Sequence, residues 1–341
     1  MHNTSRIIQK NLFQLSPCPS GLWINPEKDE VWREAVPGVP GLRLFCQDHG
    51  AYRFHQQAGA DVEFSAFPAK PKQTYQWIVL SLPRQKALLG MLLACAATLL
   101  AKGGSLWLAG ENKAGIKSAD KLLKTHFGTV RKLDNARHCT LYEAKNPLQQ
   151  QCFAAQDFRE QWPLSCQGSE LQICSYPGVF AHGRLDRGTA LLLDAVAGMD
   201  IDGDVLDFGC GAGVIGACIG NTNEHARVTF LDSNALALLA CEDTLSRNGL
   251  SGSVLASDGL TEVHNSYDLV ITNPPIHTGV TTDTHLSIKL LARVHEHIKP
   301  GGQLIMVANR HLPYERWLAQ NFAKLSELSN NDHFKIISAQ Q

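Results

Sequence analysis

The first residues in this sequence able to do chemistry are an acid and three glycines set directly after an apolar strand, Asp207-x-Gly209-x-Gly211-x-Gly213. Glycines let a backbone approach a ligand closely, and the start of the helix that follows offers free N–H groups. The spacing is G-x-G-x-G, not the G-x-G-x-x-G of a dinucleotide fold. Two more acids end the next two strands. Asp232 lies 19 residues after Gly213, where a carboxylate can accept hydrogen bonds from ribose hydroxyls. Asp258 ends the third strand and could accept from an adenine amino group. Each Asp alone reads equally as a helix cap. Together they line one crevice at the carboxyl edge of a sheet, where ligands bind in open α/β folds.

The elements that must hold these residues alternate. Strands are predicted at 204–208, 227–232, 252–258, 267–275 and 303–308. Helices are predicted at 214–219, at 235–248 with Gly249 as its C-terminal cap, and at 286–298. This is the grammar of a parallel sheet with helices on both faces. The N-terminal half echoes it. Residues 76–83 line up with 267–274, the apolar helix 86–101 with 286–298, and Lys102-Gly103-Gly104 with Pro300-Gly301-Gly302. The order points to a duplicated domain. In this alignment Leu82 stands where Asn273 stands, and no glycine-rich loop occurs in residues 1–75, so the first copy is expected to be catalytically empty. The expected organisation is domain 1–150, linker 151–170 and domain 171–341.

At 341 residues two domains are the natural division. The net charge of −1 hides an asymmetry. Residues 1–150 carry 19 Lys and Arg against 11 Asp and Glu, and residues 151–341 carry 12 against 21. A 44% hydrophobic and 18% charged composition excludes a largely disordered chain. None of the ten cysteines forms a C-x-x-C pair, so no metal site is expected. The N-terminus shows no apolar export signal, so the thiols are read as reduced and the compartment as cytoplasmic. The longest uncharged run, 87–101, is too short for a membrane span and is read as a buried helix.

The acid-ended strands around the glycine run resemble the S-adenosylmethionine-dependent methyltransferase family in its class I Rossmann-like form, over residues 176–337. Asn273-Pro274-Pro275-Ile276 is similar to that family's N/D-P-P-Y/F motif, found in enzymes that methylate planar amino nitrogens. The resemblance implies that Asn273 and the carbonyl of Pro274 hold the target amino group, with the prolines fixing the loop. Ile276 departs from the motif's aromatic residue, and His277 is a candidate to stack on the base instead. Phe180, in Tyr176-Pro177-Gly178-Val179-Phe180, is a candidate for the methionine end or the target base.

Four segments occur in one order: 110–119, Pro177-Gly178-Val179-Phe180, Asn273-Pro274-Pro275 followed by His277, and Ala308-Asn309 with Leu312-Pro313-Tyr314. This order resembles the ribosomal RNA small subunit methyltransferase C family, over nearly the whole chain. The resemblance implies two tandem class I methyltransferase domains, the N-terminal one degenerate. It also implies methylation of the N2 amino group of a guanine in 16S rRNA of the 30S subunit, at conventional position 1207. A 23S rRNA guanine, a glutamine side chain in a protein, and ribosome assembly without turnover remain alternatives. Lys113, Lys117, Lys121 and Lys124 form a basic patch. The last three are spaced to share one face of a helix and are read as an RNA-docking surface, with the chain itself expected to be a monomer.

Overall fold

Each half of the chain folds into a seven-stranded sheet, and the two sheets have the same strand order. The computed structural model describes residues 1–148, 152–274, 291 and 293–341. They divide into two compact units, Met1–Phe158 and Arg159–Gln341.

The first unit contains β1 (Ser20–Ile24), β2 (Gly41–Cys46), β3 (Val62–Phe64), β4 (Tyr75–Ser81), β5 (Leu100–Glu111), β6 (Phe127–Ala136) and β7 (Cys139–Pro147). Its helices are α1 (Asn3–Asn11), α2 (Trp32–Ala35), α3 (His49–Gln57), α4 (Lys86–Leu99) and α5 (Ala119–His126). The order across the sheet is β3-β2-β1-β4-β5-β7-β6. The second unit opens with a hairpin, β8 (Glu160–Cys166) and β9 (Ser169–Ser175). Then follow α6 (Arg187–Val196), β10 (Gly203–Phe208), α7 (Val214–Thr222), β11 (Ala226–Asp232), α8 (Ala235–Asn248), β12 (Ser253–Ala256), β13 (Tyr267–Thr272), β14 (Ile298–Asn309), α9 (Tyr314–Leu318), β15 (Lys324–Asn330) and β16 (Phe334–Gln340). Its main sheet runs β12-β11-β10-β13-β14-β16-β15. In both sheets five strands are parallel and the last two pair antiparallel.

The duplication reaches single residues. Gly103 and Gly301 both turn with φ +79°, and the register of β4 on β5 and of β13 on β14 slips at the same point. At Gly302 an added Cβ would lie 2.9 Å from the carbonyl oxygens of Asp268 and Lys299. At Gly104 it would lie 2.9 Å from that of Gln76 and 3.0 Å from that of Ala101. The strand pairing corrects the sequence alignment by one residue. Trp77 pairs with Ser105 as Leu269 pairs with Gln303, so Ser81, not Leu82, holds the place of Asn273. The error has a physical consequence: a strand slip of one residue turns every side chain to the opposite face, and apolar pattern alone did not fix which residues of β4 and β13 correspond.

The same registers identify what the first copy lost. Trp23 stands for Asp207, Cys46 for Asp232 and Ala66 for Asp258. Asn25, at φ +51°, takes the place of Gly209. Its amide exchanges two hydrogen bonds of 2.9 Å with Gln47, whose Nε2 donates to the Ala66 carbonyl at 2.8 Å. Where the second unit is open at its strand ends, the first is stitched shut.

Three boundaries differ from expectation. Helix α4 ends at Leu99, because β5 begins at Leu100. The antiparallel pairs at the end of each unit were not foreseen, since β15 is mostly exposed and polar and reads as loop. The unit boundary falls at Phe158, so much of the expected linker 151–170 belongs to the second unit as β8. Pro163 in its middle disguised that strand, which is tolerated because β8 pairs only with β9 among the described residues. The uncharged run forms the buried helix α4, and no helix among the described residues is long and apolar enough to cross a membrane.

Two glycine substitutions should act with opposite sign. Gly302→Ala presses a methyl group onto two carbonyls and should cost about 1–3 kcal/mol. Gly220→Ala, on α7 with its nearest neighbour at 3.7 Å, should stabilise by about 0.5–1 kcal/mol. Urea denaturation of the two variants measures this, and equal signs would contradict the bulge geometry.

Candidate functional site

The carboxyl ends of β10, β11 and β13 carry the site. Gly209, Gly211 and Gly213 all have positive φ, at +71°, +55° and +76°. An L side chain is strained there, which is the reason for glycine at each. Their surroundings differ. A Cβ on Gly209 or Gly211 would meet nothing within 4 Å, so this stretch of backbone presents an open face. A Cβ on Gly213 would lie 2.8 Å from the Cys241 sulfur, so that glycine brings α7 close to α8.

Asp232 braces this loop. Its Oδ2 accepts from Gly211 N at 3.0 Å and its Oδ1 from Asn234 N at 2.9 Å. Asp207 is fully buried. Its Oδ2 accepts from Gly216 N at 2.9 Å, while Oδ1 has no partner among the described residues. Burial, reinforced by the nearby charge of Asp232, pushes its carboxyl up to about 7. Asp258 lies two residues beyond β12 and is exposed. The open glycine face and the unpartnered buried acceptor fit a polar nucleoside ligand laid across these strand ends.

Asn273 follows β13 immediately. Its Nδ2 donates to Asp186 Oδ2 at 2.9 Å and to Thr189 Oγ1 at 2.8 Å. Asp186 is the N-cap of α6, where the same Oδ2 accepts from Gly188 N at 2.8 Å and Thr189 N at 3.1 Å. Both amide donors are therefore held, and Oδ1 has no hydrogen-bond donor among the described residues. The sequence reading missed Asp186 and Thr189. An Asp before an apolar run is a visible cap signal, but a contact 87 residues away in sequence is not. Pro274 is described. Pro275, Ile276 and His277 lie outside the described residues.

A cleft of about 460 Å³, counting its open mouth, runs from the glycine loop to Asn273. Phe180 lines it and is 50% exposed, unusual for a large apolar side chain. The loop carrying it is anchored. Tyr176 is buried and donates its hydroxyl to Asp243 at 2.6 Å, Arg159 pairs with the same carboxylate at 3.1 Å, and Asn234 Nδ2 donates to the Gly178 carbonyl at 3.2 Å.

In the first unit the expected lysine stripe is broken. Lys117 sits in a separate 3-10 turn, Ile116–Ser118, after Gly115 at φ +92°, and only Lys121 and Lys124 lie on α5. Lys113 pairs with Glu111 at 3.2 Å and Lys124 with Asp120 at 3.3 Å. Among the described residues Lys117 and Lys121 have no ion-pair partner, and no group of His, Cys, Asp and Glu is placed to hold a metal.

Comparison with known proteins follows the same division. The model of the methyltransferase small domain matches residues 170–338, and that of its N-terminal domain matches residues 5–162. The chain is 35% identical over 338 residues to the ribosomal RNA small subunit methyltransferase C of Shewanella amazonensis, covering 98% of each. It is 40% identical over 317 residues to that of Pseudomonas aeruginosa, covering 90% of this chain and 94% of the relative. The chain belongs to the ribosomal RNA small subunit methyltransferase C family. This is the family the four motifs resemble, and the tandem methyltransferase folds expected from it are present. The fold also matches the T. Thermophilus 16S rRNA N2 G1207 methyltransferase solved in complex with AdoMet and guanosine. The TM-score is 0.86 over all of this chain and 92% of that one, at 21% identity.

Asp207 gives the site a pH signature. Burial favours its neutral form, so its contribution to stability is complete below the ordinary 3.8 and is lost as pH rises through about 7. Thermal denaturation of the cofactor-free protein should show stability falling over this window and Asp207→Asn flattening the fall. A slope unchanged in the variant would rule out this origin.

Proposed function

We propose that this chain transfers a methyl group from S-adenosylmethionine to the exocyclic N2 of a guanine in 16S rRNA of the 30S subunit. The carrying observation is the amide of Asn273 beside the glycine loop, both its donors held and its oxygen without a donor among the described residues. Family membership supplies the substrate class, since the relatives are named as small subunit rRNA methyltransferases.

The chemistry suits that arrangement. The lone pair of a guanine amino group is delocalised into the ring, which makes it a poor nucleophile. Asn273 Oδ1 and the Pro274 carbonyl accept its two N–H bonds, hold the nitrogen, and let it pyramidalise. Bound S-adenosylmethionine supplies an electrophilic methyl group. Asp207, Gly209, Gly211, Gly213, Asp232 and Asp258 hold it, the last two toward ribose and adenine. Once methylated the nitrogen is cationic and loses its proton readily. Phe180, Ile276 and His277 supply faces for the target base, which leaves its stack to reach the site. The first unit docks rRNA through Lys113, Lys117, Lys121 and Lys124, with the protein acting as a cytoplasmic monomer.

The deciding experiment uses radiolabelled S-adenosylmethionine with undermethylated 30S and 50S subunits, followed by nucleoside analysis. Label in N2-methylguanosine from 16S rRNA is expected. Label from 23S rRNA would move the target, and no label with intact cofactor binding would leave an assembly factor. Asn273→Ala should reduce transfer by about 100-fold or more with cofactor affinity nearly unchanged.

Asp186→Ala releases that amide and removes the cap of α6. It should lower kcat by about 10-fold or more and stability by about 1 kcal/mol. Full activity in this variant would show that the amide needs no bracing. Reversing Lys117 and Lys121 to Glu should weaken rRNA binding and flatten its salt dependence. An unaltered salt titration would remove the docking role.

A further inference from the structure

Arg184 lines the catalytic cleft without a salt-bridge partner among the described residues. It is the only Lys or Arg among the described residues that line the cleft with the glycine loop, Phe180 and Asn273. Asp186, two residues on, makes no ion pair with it, and its Oδ2 is committed to the N–H groups of α6 and to Asn273. The turn that presents Arg184 is well anchored. Arg184 N donates to the Ala181 carbonyl at 3.0 Å, Gly183 N to the hydroxyl of buried Ser175 at 3.0 Å, and that hydroxyl lies 2.9 Å from His182 Nδ1. An exposed arginine is thus set on an anchored turn at the wall of this cleft, in the acidic half of the chain.

The sheet order says which part of a cofactor meets it. Asp232 ends β11 and Asp258 follows β12, on one side of β10, and Asn273 follows β13 on the other. On the reading above, adenosine lies toward the two acids and the reacting sulfur toward Asn273. The cleft contains Gly209, Gly211 and Asn273 but neither Asp232 nor Asp258, so it takes the methionine end. That end carries a carboxylate, and a planar guanidinium suits it. We propose that Arg184 binds the α-carboxylate of the methionine moiety of S-adenosylmethionine. Because the same turn leads into Asp186, this contact joins cofactor binding to the segment that orients Asn273.

The inference rests on the proposed cofactor and is separable from it by calorimetry. The full chain, Arg184→Gln and Arg184→Lys are titrated with S-adenosylmethionine and with its decarboxylated analogue. The wild-type chain should prefer the carboxylated cofactor by about 10- to 100-fold. Arg184→Gln should abolish that preference through loss of S-adenosylmethionine affinity alone, and Arg184→Lys should restore part of it. Equal S-adenosylmethionine affinity in wild type and Arg184→Gln overturns the inference, and so does an equal loss for both ligands. Loss confined to 16S rRNA affinity also overturns it and makes Arg184 a phosphate contact. Failure of the wild-type chain to bind either cofactor overturns the proposed function instead.

Discussion

The carboxamide of Asn273 can serve as an acceptor because its two N–H groups are held by Asp186 and Thr189. A free amide rotates, and its donors would compete for the lone pair that methyl transfer needs. Fixing it requires a carboxylate at the N-terminus of α6 and a strand end at the C-terminus of β13, brought together from distant parts of the chain. Asp186 accepts from the first turn of α6 with the same oxygen that holds Asn273. Helix start and amide orientation are therefore set together. A charged acceptor makes hydrogen bonds stronger than those between neutral groups, which suits a residue that must not turn.

The two units show how one sheet order supports a site or closes it. Strand order, the Gly-Gly bulge and the helix-capping Asp48 and Asn234 recur. What differs is the chemistry at the strand ends. Where Asp207 is a buried acid, Trp23 fills the core, packed edge-on to Trp77 at 6.4 Å between ring centres. A buried carboxyl is costly and is retained only where it is used. The first unit has removed that cost. Its amides Asn25 and Gln47 satisfy each other instead of a ligand.

The glycine loop divides its labour in the same way. Gly213 is small so that two helices can approach, whereas Gly209 and Gly211 leave a face open. Asp232, read from the sequence as a ligand for ribose, also braces the loop through Gly211.

The sequence by itself determined the two-unit plan, the alternating elements of the second unit and the glycines and acids placed at its strand ends. These signals are local: glycines that need positive φ, acids at strand ends, an Asn-Pro-Pro turn, caps such as Gly249 at φ +63°. Helix α8 was legible to its last residue for that reason. Local signals ended at three places. The apolar pattern of β4 and β13 left their alignment one residue out, and strand pairing makes the counterpart of Asn273 Ser81 and not Leu82. A proline hid β8, and the polar edge strand β15 read as loop. The contact of Asn273 with Asp186 and Thr189 had no trace in the residues around either partner. Only the tertiary structure decided it, because sheet pairing and helix docking, not spacing along the chain, set which side chains meet.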